Sequence, residues 1–277
     1  MTDLYSQLPR IGPHDARLGH ALITLVEPAP GHEQAYNRWY EDDHFFAGAL
    51  FMPWMFAGRR WVATRELRNL RYPADGGLIE PLGDGCYLGT YWITAGRLEE
   101  HKTWTFAANE RLAAESRIYH ERRHVFTSFQ DYAGSAYADA SVPRDMFALI
   151  DPFPGLVLEV VEPNPGVPRP TLEQWLLGDY LPARLADGHP ARLAMVFRTN
   201  PPDPGMPAEV RAATRTTSSA GTLTILWFLA EDPRRCWRGP LTDETVHLAA
   251  SGLGRVLLVA PFIPSRMGTD DYVDELR

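Results

Sequence analysis

The chain has 277 residues, of which 45% are hydrophobic and 22% are charged, and its formal net charge is −8 at pH 7. This length allows one large or two modest domains, and an acidic chain without a long basic run is not expected to bind nucleic acid. No stretch approaches the ~20 apolar residues that cross a bilayer, and residues 1–17 lack the apolar segment of an export signal, so we expect a cytoplasmic protein without a membrane partner.

The first half of the chain alternates strand-like and helix-like segments. Apolar residues repeat with a period of 2 in strands and 3.6 in helices. The predicted elements are a strand over 20–27, a helix over 32–50, strands over 55–64 and 86–94, a helix over 97–118 and a strand over 124–132. The order β-α-β-β-α-β is that of a ferredoxin-like unit.

The second half repeats this order. The predicted elements are a strand over 155–162, a helix over 170–186, strands over 191–199 and 222–230, a helical region over 232–250 and a strand over 254–262. Gly239-Pro240 should interrupt the last helical region, because proline disrupts a helix interior.

Three sequence anchors recur in register between the two halves, which predicts a tandem duplication. The pattern Val-Glu-Pro-x-Pro-Gly occupies residues 26–31 and returns at residues 161–166. The other anchors, at nearly the same offset, are Trp39 with Trp175 and the strand 88–92 with the strand 223–227.

We therefore predict an α+β fold of two tandem ferredoxin-like units. The first covers 18–133, the second covers 154–265, and 134–153 is the linker. Their antiparallel sheets are expected to pack face to face, forming an intramolecular α/β-barrel. Such a chain would act as a monomeric pseudo-dimer or form a homodimer, with residues 266–277 as a polar tail.

The run Asn-Arg-Trp-Tyr-Glu-Asp-Asp-His at 37–44, followed by Gly-Arg-Arg at 58–60, resembles the EthD-like branch of the dimeric α/β-barrel superfamily. Phe45-Phe46 replace the Leu-Pro that usually follows in that family, whereas Leu181-Pro182 keep it in the second half. The resemblance implies the fold. It leaves function open, because the superfamily contains cofactor-free isomerases, cyclases and monooxygenases as well as haem enzymes.

Asp43 lies near the middle of the apolar face of the first helix on a 3.6-residue wheel. A buried carboxylate needs a partner, and Arg59 or Arg60 on the next strand is the expected one. Because the repeat aligns Asp43 with Asp179, a structural ion pair in both halves is the favoured interpretation, and catalysis by Asp43 is the alternative.

His44 has no acid/base counterpart in the second half, where Tyr180 aligns with it. An imidazole can act as base or acid near neutral pH, so His44 is the predicted catalytic residue. Glu41 or Asp43 could hold its tautomer, and Tyr40 could stabilise a developing enolate. The alternative interpretation is a half-exposed histidine at a helix edge.

The second helix of the first half carries an apolar and aromatic stripe that includes one histidine, His101, the second candidate to stabilise an enolate. Seven of the nine histidines precede residue 125 and five of the eight tryptophans precede residue 105, so the first half is the predicted binding half. The predicted substrate-binding residues are aromatic: Trp39, Trp54, Trp92, Trp104 and Tyr119.

The remaining histidine, cysteine and glycine motifs do not indicate a metal site or a nucleotide site. The two histidines of residues 120–124 have helical spacing, but they fall at a helix-to-strand transition and favour a solvated basic turn over a metal site. Cys86 and Cys236 lack partners at finger spacing, and the loop glycines lack a nucleotide-binding context, so neither a metal nor a nucleotide is expected.

These observations favour a cofactor-independent enzyme that performs acid/base chemistry on a small hydrophobic, cyclic or aromatic metabolite. Isomerisation, cyclisation, dehydration and lyase-type elimination all fit. A non-enzymatic small-molecule-binding protein is the first alternative. A haem enzyme, with His44 or His101 as the iron ligand, is a further one.

Overall fold

Eight antiparallel strands form one closed ring in the computed structural model, which describes residues 17–186, 188–208, 210–212 and 221–277. The order around the ring is β1-β3-β2-β8-β5-β7-β6-β4. The strands are β1 Leu18–Pro28, β2 Met55–Val62, β3 Tyr87–Thr94, β4 Arg122–Tyr137, β5 Gly155–Pro163, β6 Ala191–Thr199, β7 Leu223–Leu229 and β8 Gly254–Pro264.

Each half of the ring has the strand order of a ferredoxin-like unit: β4-β1-β3-β2 in the first half and β8-β5-β7-β6 in the second. The predicted barrel of two units is confirmed. The expectation of two separate sheets facing each other is corrected, because β4 pairs with β6 and β2 pairs with β8 to make the sheet continuous. Closing the ring leaves no unpaired sheet edge among these strands.

The two junctions between the halves differ in extent. β4 pairs with β6 along residues 130–137, so the strand continues into the predicted linker. β2 meets β8 only at Trp61 with Pro264 and at Val62 with Ile263.

Helices cover the outside of the ring. They are α1 Glu33–Trp39 with its continuation Tyr40–Leu50, α2 Arg65–Arg68, α3 Leu98–Ala114, α4 Arg169–Trp175 with its continuations Leu176–Tyr180 and Leu181–Ala186, α5 Pro233–Cys236 and α6 Glu244–Ser251. The helical region expected at 232–250 is divided at Gly239–Leu241, which forms a 3-10 turn. Alternate strand residues point inward, where Trp92 packs on Phe197 and Trp61 packs on Phe228.

α1 and α4 change at the same relative position from α-helix to π-helix. In α1 the π segment is Tyr40–Leu50, and the Phe51 N–H donates to the Phe46 carbonyl five residues earlier at 2.9 Å. This pitch stacks residue i on residue i+5. Trp39 accordingly stacks on His44 with ring centroids 4.4 Å apart, and Trp175 stacks on Tyr180 at 4.8 Å.

The polar tail after β8 packs against α1 instead of extending into solvent. Asn37 Nδ2 donates to the Thr269 carbonyl at 2.8 Å, and Arg38 forms an ion pair with Asp270 at 2.6 Å. At the end of the tail, Arg277 reaches back to Glu33 at 2.5 Å and to Glu27 at 2.9 Å. The second half thereby holds the first helix of the first half.

Candidate functional site

A cavity of about 400 Å³ lies between α1, α3 and the outer face of the sheet in the first half. This size suits a small organic ligand. Its walls are largely apolar and aromatic, with a few polar groups among them. The lining includes Tyr36, Trp39, Tyr40, His44, Gly48 and Ala49 of α1, Thr105, Phe106, Asn109 and Glu110 of α3, and Leu22, Thr24, Val26, Tyr91, Arg122, His124, Thr127 and Phe129 of the sheet.

One wall of this cavity comes from the second half of the chain. Met206 and Val210, in the connection after β6, are buried against Phe106 and Phe129. This connection lies over the cavity because β6, which it follows, is the neighbour of β4 in the ring. Asp203 holds the connection to α3 through an ion pair with Lys102 at 3.0 Å. The expectation that the first half alone builds the cavity is therefore corrected.

His44 is placed in the cavity by the π-helical turn. Its ring lies on Trp39 and edge-on to Tyr40. Gly48 faces the same ring so closely that an added Cβ would overlap Nδ1 and Cε1. Burial, with the nearby Arg122 charge, lowers the pKa of His44 to about 3, so the imidazole is neutral at pH 7. Its buried Nδ1 has no hydrogen-bond partner among the described residues.

A second imidazole, that of the half-buried His124, lines the same cavity. Its Nδ1 lies 2.8 Å from Thr127 Oγ1, which in turn lies 2.7 Å from Thr24 Oγ1. One tautomer donates from Nδ1 to Thr127 and leaves Nε2 as an acceptor. Burial and Arg122 lower the pKa of His124 to about 3 as well, and the neighbouring His44 contributes.

His124 faces the cavity because the pairing of β1 with β4 shifts by one residue. Leu25 pairs with Phe126, whereas Val26 pairs with His124. The extra residue between these pairs allows His124 and Thr127, three residues apart, to share one face of the sheet. The predicted solvated turn at 120–124 is thus wrong for His124, although His120 is exposed.

Two tyrosine hydroxyls form the polar end of the cavity. Tyr40 of α1 and Tyr91 of β3 are hydrogen-bonded to each other, and either oxygen can be the donor. Burial raises the pKa of both phenols, so both stay protonated at neutral pH. One of the two protons is used within the pair, so the hydroxyl that accepts this bond is the one that can donate to a ligand oxygen.

Arg122 brings positive charge to the cavity wall. Its guanidinium lies over the Trp39 ring, 4.6 Å from the centroid, and it donates to the Tyr119 carbonyl. Stacking on an aromatic face favours the guanidinium and fixes its position.

Glu41, predicted beside the catalytic histidine, points away from the cavity. It is buried in an ion pair with Arg60 at 2.7 Å and accepts from the Gly268 N–H at 3.0 Å. Arg60 also donates to Asn37 at 2.6 Å. Glu41 thus holds α1 against β2 and the tail, which corrects its assignment as a partner of His44.

Asp43 does not reach Arg59 or Arg60. Its side chain is 31% exposed and pairs with Arg117, while Asp179 is exposed. The 3.6-residue wheel fails beyond Tyr40, because the π turn rotates Asp43 outward and Glu41 inward. The predicted structural pair exists at a different residue.

His101 and most of the predicted aromatic contacts lie outside the cavity. His101 is buried, shares a hydrogen bond between Nδ1 and the Pro53 carbonyl at 3.1 Å, and packs on Phe129. Of the predicted substrate-binding residues, only Trp39 lines the cavity. Trp54 lies under Arg97, Trp92 fills the ring interior, Trp104 is 56% exposed on α3, and Tyr119 packs behind Trp39.

The ring of two ferredoxin-like units, with the cavity between helices and sheet, defines the dimeric α/β-barrel fold, here within one chain. An anthrone oxidase-like protein has this fold with a TM-score of 0.52 at 10% identity, covering 90% of this chain and 92% of that one. A DypB variant in complex with manganese gives 0.50 at 11% identity, covering 94% and 96%. No protein-family model and no curated protein matches the sequence. At these identities the likeness establishes the fold.

The described residues lack two further features. No group of three or more His, Cys, Asp or Glu side chains in the described ranges is arranged to hold a metal ion. Within the same residues, no helix is both long and apolar enough to span a bilayer.

Proposed function

We propose that this protein is a cofactor-independent enzyme that transfers a proton to or from a small hydrophobic, cyclic or aromatic molecule. The observation that carries the proposal is the convergence of His44, His124 and the Tyr40–Tyr91 pair on one aromatic-lined cavity of about 400 Å³. Isomerases, cyclases, dehydratases and lyases all use proton transfer next to a carbonyl or hydroxyl group.

The roles follow from the protonation states. His44 and His124 are neutral at pH 7 and keep an unprotonated ring nitrogen, but a pKa near 3 makes each a weak proton acceptor until negative charge developing on the substrate raises that pKa. Tyr40 and Tyr91 remain protonated, and the one that accepts the hydrogen bond between them can donate its own proton to the oxygen on which charge develops. Trp39 provides a flat surface on which His44 keeps its orientation.

Haem does not fit the two histidines suggested for it. A metal-bound imidazole almost always donates its other N–H to an acceptor, and the buried Nδ1 of His44 has none among the described residues. His101 has such an acceptor in Pro53, but its Nε2 is buried and the side chain does not line the cavity. We therefore expect that neither His44→Ala nor His101→Ala changes the Soret band when the purified protein is titrated with haemin, whereas a sharp shifted band lost in His44→Ala would contradict this assignment.

The test is solvent hydrogen exchange, which needs no knowledge of the natural product. 2-Tetralone has an acidic C–H beside its carbonyl, and deuterium uptake at that carbon in D₂O is followed by proton NMR. The protein should accelerate uptake, and His44→Ala should reduce the acceleration by about 10²–10⁴-fold, the usual contribution of positioned proton transfer. Tyr91→Phe should lower it as well.

His247→Gln is the matched control, because His247 is a half-exposed histidine on α6, away from the cavity. It should leave exchange unchanged. Equal exchange with wild type and His44→Ala would remove His44 from the mechanism. Binding of 2-tetralone without faster exchange would favour the alternative, a small-molecule-binding protein without turnover.

We also propose that the two units, 18–133 and 154–265, arose by tandem duplication from an EthD-like ancestor. Three correspondences support the proposal beyond the repeated motif. The π turns coincide in α1 and α4, Gly31 and Gly166 share a φ of 85°, and the β1–β4 register shift recurs between β5 and β8.

A further inference from the structure

We infer that Tyr36 is a further catalytic residue, whose phenol donates a hydrogen bond to the oxygen of the bound substrate. This inference rests on the proposed function, since it adds a residue to the same cavity and the same reaction. Tyr36 lies on α1 one turn before Tyr40, and both side chains line the cavity. Its placement does not depend on the π turn, because its N–H donates to the His32 carbonyl at 2.8 Å as in a regular α-helix.

The Tyr36 hydroxyl differs from the other two phenolic hydroxyls of the cavity wall. The Tyr40 and Tyr91 hydroxyls are hydrogen-bonded to each other, so one proton of that pair is already used. The Tyr36 hydroxyl has no hydrogen bond to any described residue, and the described residues do not seal its oxygen from the cavity. The residue as a whole is only 1% exposed. Its proton is therefore available to a ligand oxygen inside the cavity.

Tyr36 keeps this proton at neutral pH. Burial raises the pKa of its phenol above the ordinary value of 10, and the nearby Arg60 charge offsets this only in part. A hydrogen bond from a neutral phenol strengthens as negative charge develops on the acceptor oxygen, because charge-assisted hydrogen bonds are the strong kind. The Tyr36 phenol therefore stabilises an enolate more than the ketone from which it forms, which is what accelerates the reaction.

The second half of the chain provides an internal comparison for this position. The alignment of Trp39 with Trp175 places Leu172 of α4 opposite Tyr36. Leu172 is fully buried in the apolar core beneath α4. Packing this turn of the helix onto the sheet thus needs no hydroxyl group, and the half that contains the cavity is the half that carries one.

Tyr36 and the Tyr40–Tyr91 pair can supply two donors to one oxygen. The Tyr36 and Tyr40 rings are neighbours on one helix face, with centroids 5.9 Å apart. When an imidazole of the cavity removes the proton beside a carbonyl group, the electron pair of the broken C–H bond forms a carbon–carbon double bond. The carbonyl π electrons move to the oxygen, which accepts hydrogen bonds from the phenols. Positioned donors of this kind are a principal source of enzymatic rate enhancement.

The experiment measures turnover and hydrogen bonding separately, with 2-tetralone as the probe. Tyr36→Phe should lower the rate of deuterium exchange at saturating 2-tetralone by about 10²–10³-fold, the usual cost of removing one donor to a developing oxyanion. Infrared difference spectroscopy of 2-tetralone labelled with ¹³C at the carbonyl reports the hydrogen bond itself. The stretching frequency of the bound carbonyl should be higher in Tyr36→Phe than in wild type. The melting temperature should not fall, because the hydroxyl has no partner among the described residues.

Tyr87→Phe is the matched control. The Tyr87 ring packs near the Tyr36 ring, with centroids 5.5 Å apart, and its hydroxyl is buried without a partner among the described residues. Tyr87 does not line the cavity, so a ligand there cannot reach this hydroxyl. The variant removes the same atom from a neighbouring ring, and it should leave both the exchange rate and the carbonyl frequency unchanged.

The outcomes separate this inference from the proposed function. Wild-type exchange and an unchanged carbonyl frequency in Tyr36→Phe overturn the role of Tyr36 and leave the Tyr40–Tyr91 pair as the donor. Slower exchange with an unchanged frequency and a lower melting temperature also overturns it, because Tyr36 is then structural. Binding of 2-tetralone to wild type without faster exchange refutes the proposed function and the catalytic role. A frequency that rises in Tyr36→Phe would in that case identify Tyr36 as a ligand-binding residue. Absence of 2-tetralone binding to wild type overturns both proposals.

Discussion

Replacing Glu41 by alanine should destabilise the protein far more than replacing its neighbour Asp43. Glu41 and Arg60 have side-chain exposures of only 2% and 1%, with 2.7 Å between Oε1 and Nη1. Removing one member of a buried pair leaves the other charge uncompensated and costs about 3–5 kcal/mol. At roughly 2–4 °C per kcal/mol for a chain of this size, Glu41→Ala should lower the melting temperature by about 6–20 °C.

Differential scanning calorimetry on both variants measures this difference. Asp43 pairs with Arg117 at the surface, with exposures of 31% and 41%, and exposed pairs contribute little. Asp43→Ala is therefore the matched control and should shift the melting temperature by no more than about 4 °C. The double variant Glu41→Leu/Arg60→Met should recover much of the loss, because it removes both charges. Equal shifts for the two single variants would refute the assignment of the buried pair.

Three further changes test other parts of the structure. Gly48→Ala should weaken 2-tetralone binding despite alanine's better helix propensity, because the new methyl group displaces the His44 ring; unchanged affinity in calorimetry would contradict that placement. Burial, reinforced by the nearby Glu244, raises the pKa of Glu159 well above its ordinary value of 4.5. The protonated Glu159 therefore stabilises the folded state below pH 4.5, and this contribution to the free energy of unfolding is lost as the pH rises. Urea unfolding of Glu159→Gln at several pH values should not show this loss. Parallel pH profiles of stability for the variant and the wild type would contradict the raised pKa. Met206→Trp should fill the cavity from the second half of the chain, so 2-tetralone binding that survives this change would place the ligand elsewhere.

The strands and helices could be predicted from the sequence because their apolar periods are regular. The strand predicted over 191–199 agrees with β6 residue for residue, and α4, Arg169–Ala186, begins one residue before the prediction. The joining of the two sheets into a ring depends on contacts between residues far apart in the chain. β2, for example, meets β8 some two hundred residues later, and no local pattern encodes that pairing.

The sequence predicts only part of the candidate site, and the errors of the prediction have two local causes. Trp39, Tyr40 and His44 do line the cavity, because the aromatic face of α1 was recognised correctly. Glu41 was misplaced because the wheel assumed 3.6 residues per turn across a π turn. His124 is the first residue of the strand predicted over 124–132, but its side chain was not predicted to line the cavity, because a register shift breaks the two-residue alternation of β4.

The short contact between β2 and β8 links the stability of the ring to the geometry of the candidate site. Arg60 lies on β2 beside this contact: its carbonyl accepts from the Ser265 N–H at 3.1 Å, and its side chain holds Glu41 of α1. Partial unfolding starts where few hydrogen bonds must break. We therefore expect the β2–β8 junction to be the first part of the barrel to open transiently. Each opening would detach β2, the strand that anchors α1. Tyr40 and His44 would then be held less rigidly in the cavity. Ligand binding in the cavity and closure of the β2–β8 junction should therefore favour each other, because Arg60 connects the two.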